Sequence, residues 1–200
     1  MNGIENINLK LFLQINAGAD TPLWLVNIAT IIAEGVIYLI PLLLVFFWFW
    51  GNVTQRRFTL KLCALALFAL GINQLVALVW PHPRPFVMGI GHTWLTHAPD
   101  SSFPSDHVTI FAVTSIVLLF ENMRKLGFSI LLLGLFVAWS RIYLGVHYPL
   151  DMIGSVAVSL VAYLIITPIW RVLGTIVTDF FERIYRGVFG WPISMGWILR

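Results

Sequence analysis

Three short segments hold most of the residues in this 200-residue chain that could do chemistry. They are Pro83-Arg84-Pro85, Pro104-Ser105-Asp106-His107, and the run from Ser140-Arg141 through Gly145, His147 and Pro149 to Asp151. In the last of these, Pro149 suits the first turn of a helix. His147 then lies just before that helix and Asp151 inside its first turn. An aspartate there can accept a hydrogen bond from one ring nitrogen of His147. That fixes the tautomer and leaves the other nitrogen's lone pair free to attack. Arg141 offers a planar fork of donors matched to phosphate oxygens, and Gly145 lets the backbone turn sharply between them. A plainer reading is an Arg141–Asp151 ion pair that only steadies the turn.

Ser105 follows a proline and precedes an apolar run, the setting of a helix N-cap. The free N–H groups and positive dipole end beyond it suit an anion such as phosphate. His107, in the first turn, stands where it could move a proton. The same residues also fit an ordinary capped helix with a histidine at an interface. Arg84, between two prolines, is held on a stiff loop, as a charge that must meet a transferring phosphoryl group should be. A snorkelling arginine shares that local pattern.

The elements that must position these groups are apolar. Of all residues, 59% are apolar and only 10% charged, against about 25% charged in a soluble domain. Apolar blocks of about 20 residues span a bilayer as helix, and the chain has several. Residues 5–16 alternate Ile7, Leu9, Phe12 and Ile15 with Asn6, Asn8 and Lys10, which predicts an interfacial helix. A first span over 23–50 exceeds one straight crossing, so tilt or a kink at Pro41 is expected. It ends in an aromatic belt, Phe46 to Trp50. Further spans are expected over about 60–80, 105–120, 128–143 and 149–170. The N-terminal stretch could add a sixth. Residues 81–104, with five prolines and three histidines, read as an ordered loop of the kind that carries function. The tail from Arg171 through Arg183 and Arg186 reads as surface-lying. The start lacks a basic region followed by a short apolar core, so no cleaved signal peptide is expected. Cys63, a lone cysteine, says nothing of redox compartment.

Topology is an independent check. Basic residues mark the cytoplasmic side. Arg56/Arg57, Arg124/Lys125 and Arg171/Arg183/Arg186 follow spans one, three and five, so all three fall on one face. The loop 81–104 and the turn 140–149 then share the opposite, outer face. The net charge of +3 comes without a basic arm, and no nucleic-acid partner is expected. A transporter with outer arginines is disfavoured by the two histidines and the complete third segment.

In order and placement the three segments resemble those of the type 2 phosphatidic acid phosphatase superfamily, over roughly residues 60–170. Its pattern is Lys-x6-Arg-Pro, then Pro-Ser-Gly-His, then Ser-Arg-x5-His-x3-Asp. The third motif is met in full by Ser140, Arg141, His147 and Asp151. Two positions depart. The lysine position is Ala77, for which His82, Asn73 or Gln74 could substitute. The glycine position is Asp106, and a carboxylate beside phosphate must be paired or turned away; Arg84 or a nearby histidine could pair it. The Pro-Ser-Asp-His form is similar to the bacitracin-resistance branch, undecaprenyl diphosphate phosphatases of the bacterial cytoplasmic membrane.

The resemblance implies an all-α polytopic membrane bundle of five to six helices, one domain over residues 1–200, with an outer-face active site. It implies hydrolysis of undecaprenyl diphosphate through a phosphohistidine, recycling a cell-wall carrier lipid. Phosphatidylglycerol phosphate or phosphatidic acid hydrolysis, or phosphotransfer to lipid A, are alternatives with the same motifs. Carried onto this chain, His147 is the nucleophile, Asp151 orients it, and His107 protonates the leaving oxygen and then activates water. Arg84, Ser105, Arg141 and backbone N–H groups near Asp106 hold phosphoryl oxygens. Ser140 supports the turn. No metal or other cofactor is expected; His92 and His97 lack a carboxylate at ligand spacing. Membrane lipids are the remaining partners. Glu34, a carboxylate inside the first span, is costly there. It either meets polar groups or the head group, or bonds another helix through Asn73 or Gln74.

Overall fold

The computed structural model describes residues 3–199, and its regular structure is helical apart from one isolated bridge, Pro83 to Ser101. The α-helices are α1 (Gly3–Ile15), α2 (Leu23–Thr30), α3 (Leu39–Trp50), α4 (Val53–Val79), α5 (Asp106–Phe120), α6 (Arg124–Tyr143), α7 (Pro149–Val188) and α8 (Gly190–Ser194). Four helical runs are long and apolar enough to cross a membrane: Leu23–Trp50, α4, α6 and α7. The third expected span, α5, is shorter. The chain is a multi-pass membrane protein built as an all-α bundle.

The short helix is the central one. α5 packs against α4, α6 and α7, and it is buried on most of its circumference, including Thr109, Phe111, Val113, Thr114, Ser115 and Val117. Lipid tails are as apolar as leucine, so helices associate in membranes through close packing and hydrogen bonds. Small residues supply both here. Gly134 of α6 lies against the Phe111 side chain, and Gly154 of α7 lies on the ring of Phe103. Ser155 donates to the Ser105 carbonyl at 2.9 Å, and Ser159 donates to that of Thr109 at 3.3 Å. The N-terminal end of α5 is therefore tied to α7 at the level of the third motif.

Several boundaries differ from the sequence reading. The first span does not kink at Pro41. It is interrupted by a π-helical turn, Ile31–Gly35, and a 3-10 turn, Val36–Tyr38. Pro41 then sits in the first turn of α3, where a missing N–H matters least. The basic loop after this span is shorter than expected, because Asn52 and Gln55 form a reciprocal capping box that starts α4 at Val53. Arg56 is consequently buried inside a helix, bonded to the Trp48 and Leu199 carbonyls and 3.6 Å from Glu182. Arg124 and Lys125 likewise open α6; the turn is Glu121-Asn122-Met123, with Asn122 at φ 64°.

The tail does not lie flat. α7 runs 40 residues without interruption through Pro168, about 60 Å at 1.5 Å per residue. That is twice the ~30 Å hydrocarbon core, and its second half packs on the junction of α3 and α4, where Glu182 meets Arg56 and the Tyr185 ring lies edge-on to Trp48 and Phe49. α1 has 13 residues, about 20 Å of helix, too short for a sixth span. Its Asn8 and Phe12 are buried, and it packs on α6 and α7.

Candidate active site

The turn between α6 and α7 is set by Gly145 at φ 83°, where an added Cβ would collide with the His92 carbonyl. This glycine aims His147 back toward the first turn of α7. His147 Nδ1 lies 3.0 Å from Asp151 Oδ2, and both side chains are almost fully buried. The same carboxylate oxygen accepts the Tyr148 N–H at 2.8 Å and the Ser102 hydroxyl. The Arg141–Asp151 ion pair of the plainer reading is not formed: Asp151 is committed to His147, Ser102 and its own helix terminus. A carboxylate can only accept, so Nδ1 carries the proton and Nε2 the lone pair. Burial, then the guanidiniums of Arg141 and Arg84, pushes the His147 pKa well below its ordinary value. The ring is neutral at neutral pH.

Arg84 faces that lone pair. Its Nη1 is 3.1 Å from His147 Nε2 and donates to the Val146 carbonyl at 2.9 Å, while Nε donates to Asp100 at 2.8 Å. Arg141, 2% exposed, reaches in from α6. Its Nη2 is 3.1 Å from His97 Nε2, and its Nη1 approaches the Ala33 carbonyl at 3.4 Å. Ala33 lies in the π-helical turn. Such turns recur at functional sites because they offer carbonyls that an α-helix would use internally. Arg141 Nε has no partner among the described residues.

Together these groups line a cavity of about 150 Å³ with His107, Asp106, Asn73, Gln74 and Ala77. That is room for a phosphoryl group and little more. Around it stand two buried guanidiniums, three imidazoles and the N-terminal turn of α5. The arrangement suits capture of a small tetrahedral anion against a neutral imidazole lone pair.

Some expected groups lie elsewhere. Ser105 holds the N-cap position, but its hydroxyl makes no cap bond, is fully buried and does not line the cavity. Ser140 is behind the cavity, donating to the Val137 carbonyl at 2.9 Å. His82 also stays outside, packed edge-on against Trp80 and Tyr148. Asp106 pairs with neither Arg84 nor a histidine. Its carboxylate accepts from Asn73 at 2.8 Å and Gln74 at 3.4 Å. Those two amides are thereby drawn to the cavity rim around Ala77, where the family pattern has its lysine. Glu34 bonds neither of them and is exposed on the protein surface, so the helix-bridging reading of it falls.

Three loop residues at the site were not singled out from the sequence as part of it: His97, Asp100 and Ser102. Nothing in their spacing marks them. The fold of residues 81–104 brings them in, and Asn16 fastens that fold. Its side chain donates to the His92 and Tyr143 carbonyls at 2.8 and 3.1 Å and accepts the His92 N–H at 2.7 Å. Among the described residues no three His, Cys, Asp or Glu side chains cluster at metal-binding distance.

Comparison with known proteins gives the family and the fold. Residues 58–174 match the model of the PAP2 superfamily. The chain is 37% identical over 195 residues to YbjG of Escherichia coli (strain K12), named provisionally as an undecaprenyl-diphosphatase, with 98% of each chain covered. It is 38% identical over 155 residues to the undecaprenyl-diphosphatase BcrC of Bacillus subtilis (strain 168), covering 78% of this chain and 80% of that one. Among solved structures, that of Aquifex aeolicus LpxE superimposes with a TM-score of 0.65 at 25% identity, covering 80% of this chain and 93% of the other.

Proposed function

We propose that this chain, which belongs to the PAP2 superfamily, hydrolyses undecaprenyl diphosphate to undecaprenyl phosphate and inorganic phosphate as one membrane-embedded domain. The observation that carries the reading is the Asp151–His147 pair, whose unprotonated Nε2, capped by Arg84, faces a phosphate-sized cavity lined by Arg84 and Arg141. The names of its relatives supply the lipid.

In the first step Arg84 moves off Nε2 and onto the phosphoryl oxygens. His147 Nε2 attacks the terminal phosphorus, forming an N–P bond as the bridging P–O bond breaks. His107, which takes up a proton as the anionic head group enters beside it, gives that proton to the departing lipid phosphate. Asp151 stabilises the positive charge that develops on the His147 ring. In the second step His107 takes a proton from water, whose oxygen attacks the phosphohistidine. Phosphate leaves and His147 returns to neutral. Arg84, Arg141 and the N–H groups that open α5 hold the spreading negative charge, and this reaction then proceeds without a metal.

The basic residues Arg57, Lys61, Arg124, Lys125 and Arg171 lie at the bundle end opposite the cavity. By the positive-inside rule that end is cytoplasmic, and the cavity opens to the outside of a bacterial cytoplasmic membrane.

Phosphate release by the purified protein in detergent with excess EDTA tests the reading. Undecaprenyl diphosphate and phosphatidic acid are compared, with His147→Ala as control. Rapid release from the diphosphate, lost in the variant, is expected. Activity that vanishes with EDTA would overturn the metal-free mechanism, and activity that survives the variant would overturn the nucleophile. Preference for phosphatidic acid would overturn the substrate.

A further inference from the structure

A second cavity is larger than the catalytic one. It lies at the opposite end of the bundle, between the start of α4, the end of α5 and the middle of α7, with a volume of about 720 Å³. Ligand sites usually occupy ~300–1,000 Å³. Three features distinguish it from a gap between helices.

First, it holds two cations that have no anionic partner among the described residues. Lys61, on the same wall, is bonded to Glu121 at 2.6 Å and sits over the Tyr163 ring. Arg57 and Arg171 line the cavity too, and among the described residues neither makes a salt bridge or a side-chain hydrogen bond. Second, Thr167 lines it, and its buried hydroxyl has no hydrogen-bond partner among the described residues. Thr167 is 8% exposed. A threonine inside a helix commonly bonds the carbonyl one turn back, as Thr178 of the same helix does at 2.6 Å. Leaving such a hydroxyl unpaired is unfavourable, and a ligand oxygen reaching it would supply the missing acceptor. Third, the depth is that of a head group. Thr167 and Arg171 lie 18 and 22 residues into α7 from Pro149, ~27 and ~33 Å along the helix, against a hydrocarbon core of ~30 Å. Trp170 and Tyr163 stand at the same level, as aromatic residues do at a membrane interface.

We infer that this cavity is a binding site for the phosphate-bearing head group of an anionic phospholipid of the inner leaflet. The phosphate sits between Arg57 and Arg171 and accepts the Thr167 hydroxyl. The acyl chains run up the apolar surface above, beginning at Phe120. Basic pockets between membrane helices on the cytoplasmic side hold lipid head groups in this way. The site touches none of the residues assigned to catalysis, and its existence does not depend on which lipid the enzyme cleaves.

Native mass spectrometry of the full chain released from phosphatidylcholine nanodiscs containing phosphatidylglycerol tests this. The wild type should retain phosphatidylglycerol in preference to phosphatidylcholine. Arg57→Gln/Arg171→Gln should lose that preference by about tenfold or more, at ~1 kcal/mol per cation. Thr167→Val, which keeps the shape and removes the hydroxyl, should lose several-fold. Phosphate release from undecaprenyl diphosphate in detergent should be unchanged in all variants, which shows that they fold. Equal retention by wild type and the double variant would overturn the inference. So would inorganic phosphate that binds wild-type protein in lipid-free detergent and is not displaced by added phosphatidylglycerol, because the site would then be one for a free anion.

Discussion

Arg84 Nη1 stands 3.1 Å from His147 Nε2, so the guanidinium donates a hydrogen bond to the lone pair that the proposed reaction uses. The nucleophile is covered in the unliganded site. A phosphoryl group must draw Arg84 away before attack, and the same side chain is then in place to hold that group's oxygens. The Asp100 carboxylate at Nε and the Val146 carbonyl give Arg84 a fixed pivot for this exchange.

Arg84→Lys keeps the charge and loses the fork. A point charge cannot bond Asp100, Val146 and a phosphoryl oxygen together. We expect kcat/KM for phosphate release to fall ~10²–10³-fold, the range found when one transition-state donor is removed. Steady-state kinetics against undecaprenyl diphosphate measure it. A fall under threefold would remove Arg84 from the transition state.

Asp151→Asn leaves the side chain's size unchanged but supplies an N–H where His147 needs an acceptor. The wrong tautomer would be stabilised, and kcat should fall by up to ~10⁴-fold, as in serine proteases when the orienting aspartate is so replaced. Ser102→Ala removes one bond to the same oxygen, ~1.5–3 kcal/mol for a charged acceptor, and should lower kcat by roughly tenfold or somewhat more. Trapping of ³²P-labelled protein after acid quench follows the intermediate directly. Undiminished labelling in Asp151→Asn would exclude the orienting role.

The pH dependence follows from burial. The folded His147 holds its proton less tightly than the ordinary value of 6.5, because burial and the two arginines oppose its charge. The acid limb of kcat/KM due to this residue should therefore lie below pH 6.5. For stability the sign is the same. Below pH 6.5 the unfolded chain takes up a proton that the folded chain refuses, so stability is lost as pH falls through that window. His97, lowered chiefly by burial and by Arg84, acts in the same sense. Thermal unfolding in detergent from pH 8 to 5 should show a falling midpoint, with a smaller slope in His147→Gln. A midpoint that rises toward acid would contradict the assignment.

Asn16→Ala should damage activity from a distance. Asn16 makes three bonds that fasten residues 81–104 to the end of α6, and it touches no part of the cavity. Loosening that loop lets Arg84, His97 and Ser102 drift together, and small displacements at a catalytic site can cost ~10²-fold. Hydrogen exchange should show faster opening of the loop while the bundle helices keep their protection. Normal exchange in the loop with lost activity would defeat this account.

The Asp106–Asn73 bond makes a paired prediction. Asn73→Ala leaves the Asp106 carboxylate facing incoming phosphate with only the weaker Gln74 contact at 3.4 Å, so KM should rise several-fold. Asp106→Gly in the same chain removes the repelling charge and should restore it. Additive losses in the double variant would show that the two residues act separately.

Much of this was legible in the chain itself. His147 and Asp151 are four residues apart across a helix start announced by Pro149, so their contact is local. Any chain with that spacing, a helix there and a glycine turn before it must bring them together. The apolar blocks demanded membrane helices because so few charges could not solvate a soluble surface. The grouping of basic residues after alternate spans placed the three motifs at one end. Local spacing could not reveal contacts made across the bundle. Asn73 meets Asp106, Ser102 meets Asp151, His97 meets Arg141, and Asn16 holds the loop, each pair separated by 30 residues or more. The π-helical turn that offers the Ala33 carbonyl to Arg141, and the unbroken run of α7 through Pro168, were likewise decided by packing. Backbone hydrogen bonds and neighbouring helices outweigh the local preference of a single proline or carboxylate. Bonds within one turn of helix are dictated by sequence spacing, whereas bonds between helices exist only once the bundle has chosen which faces meet.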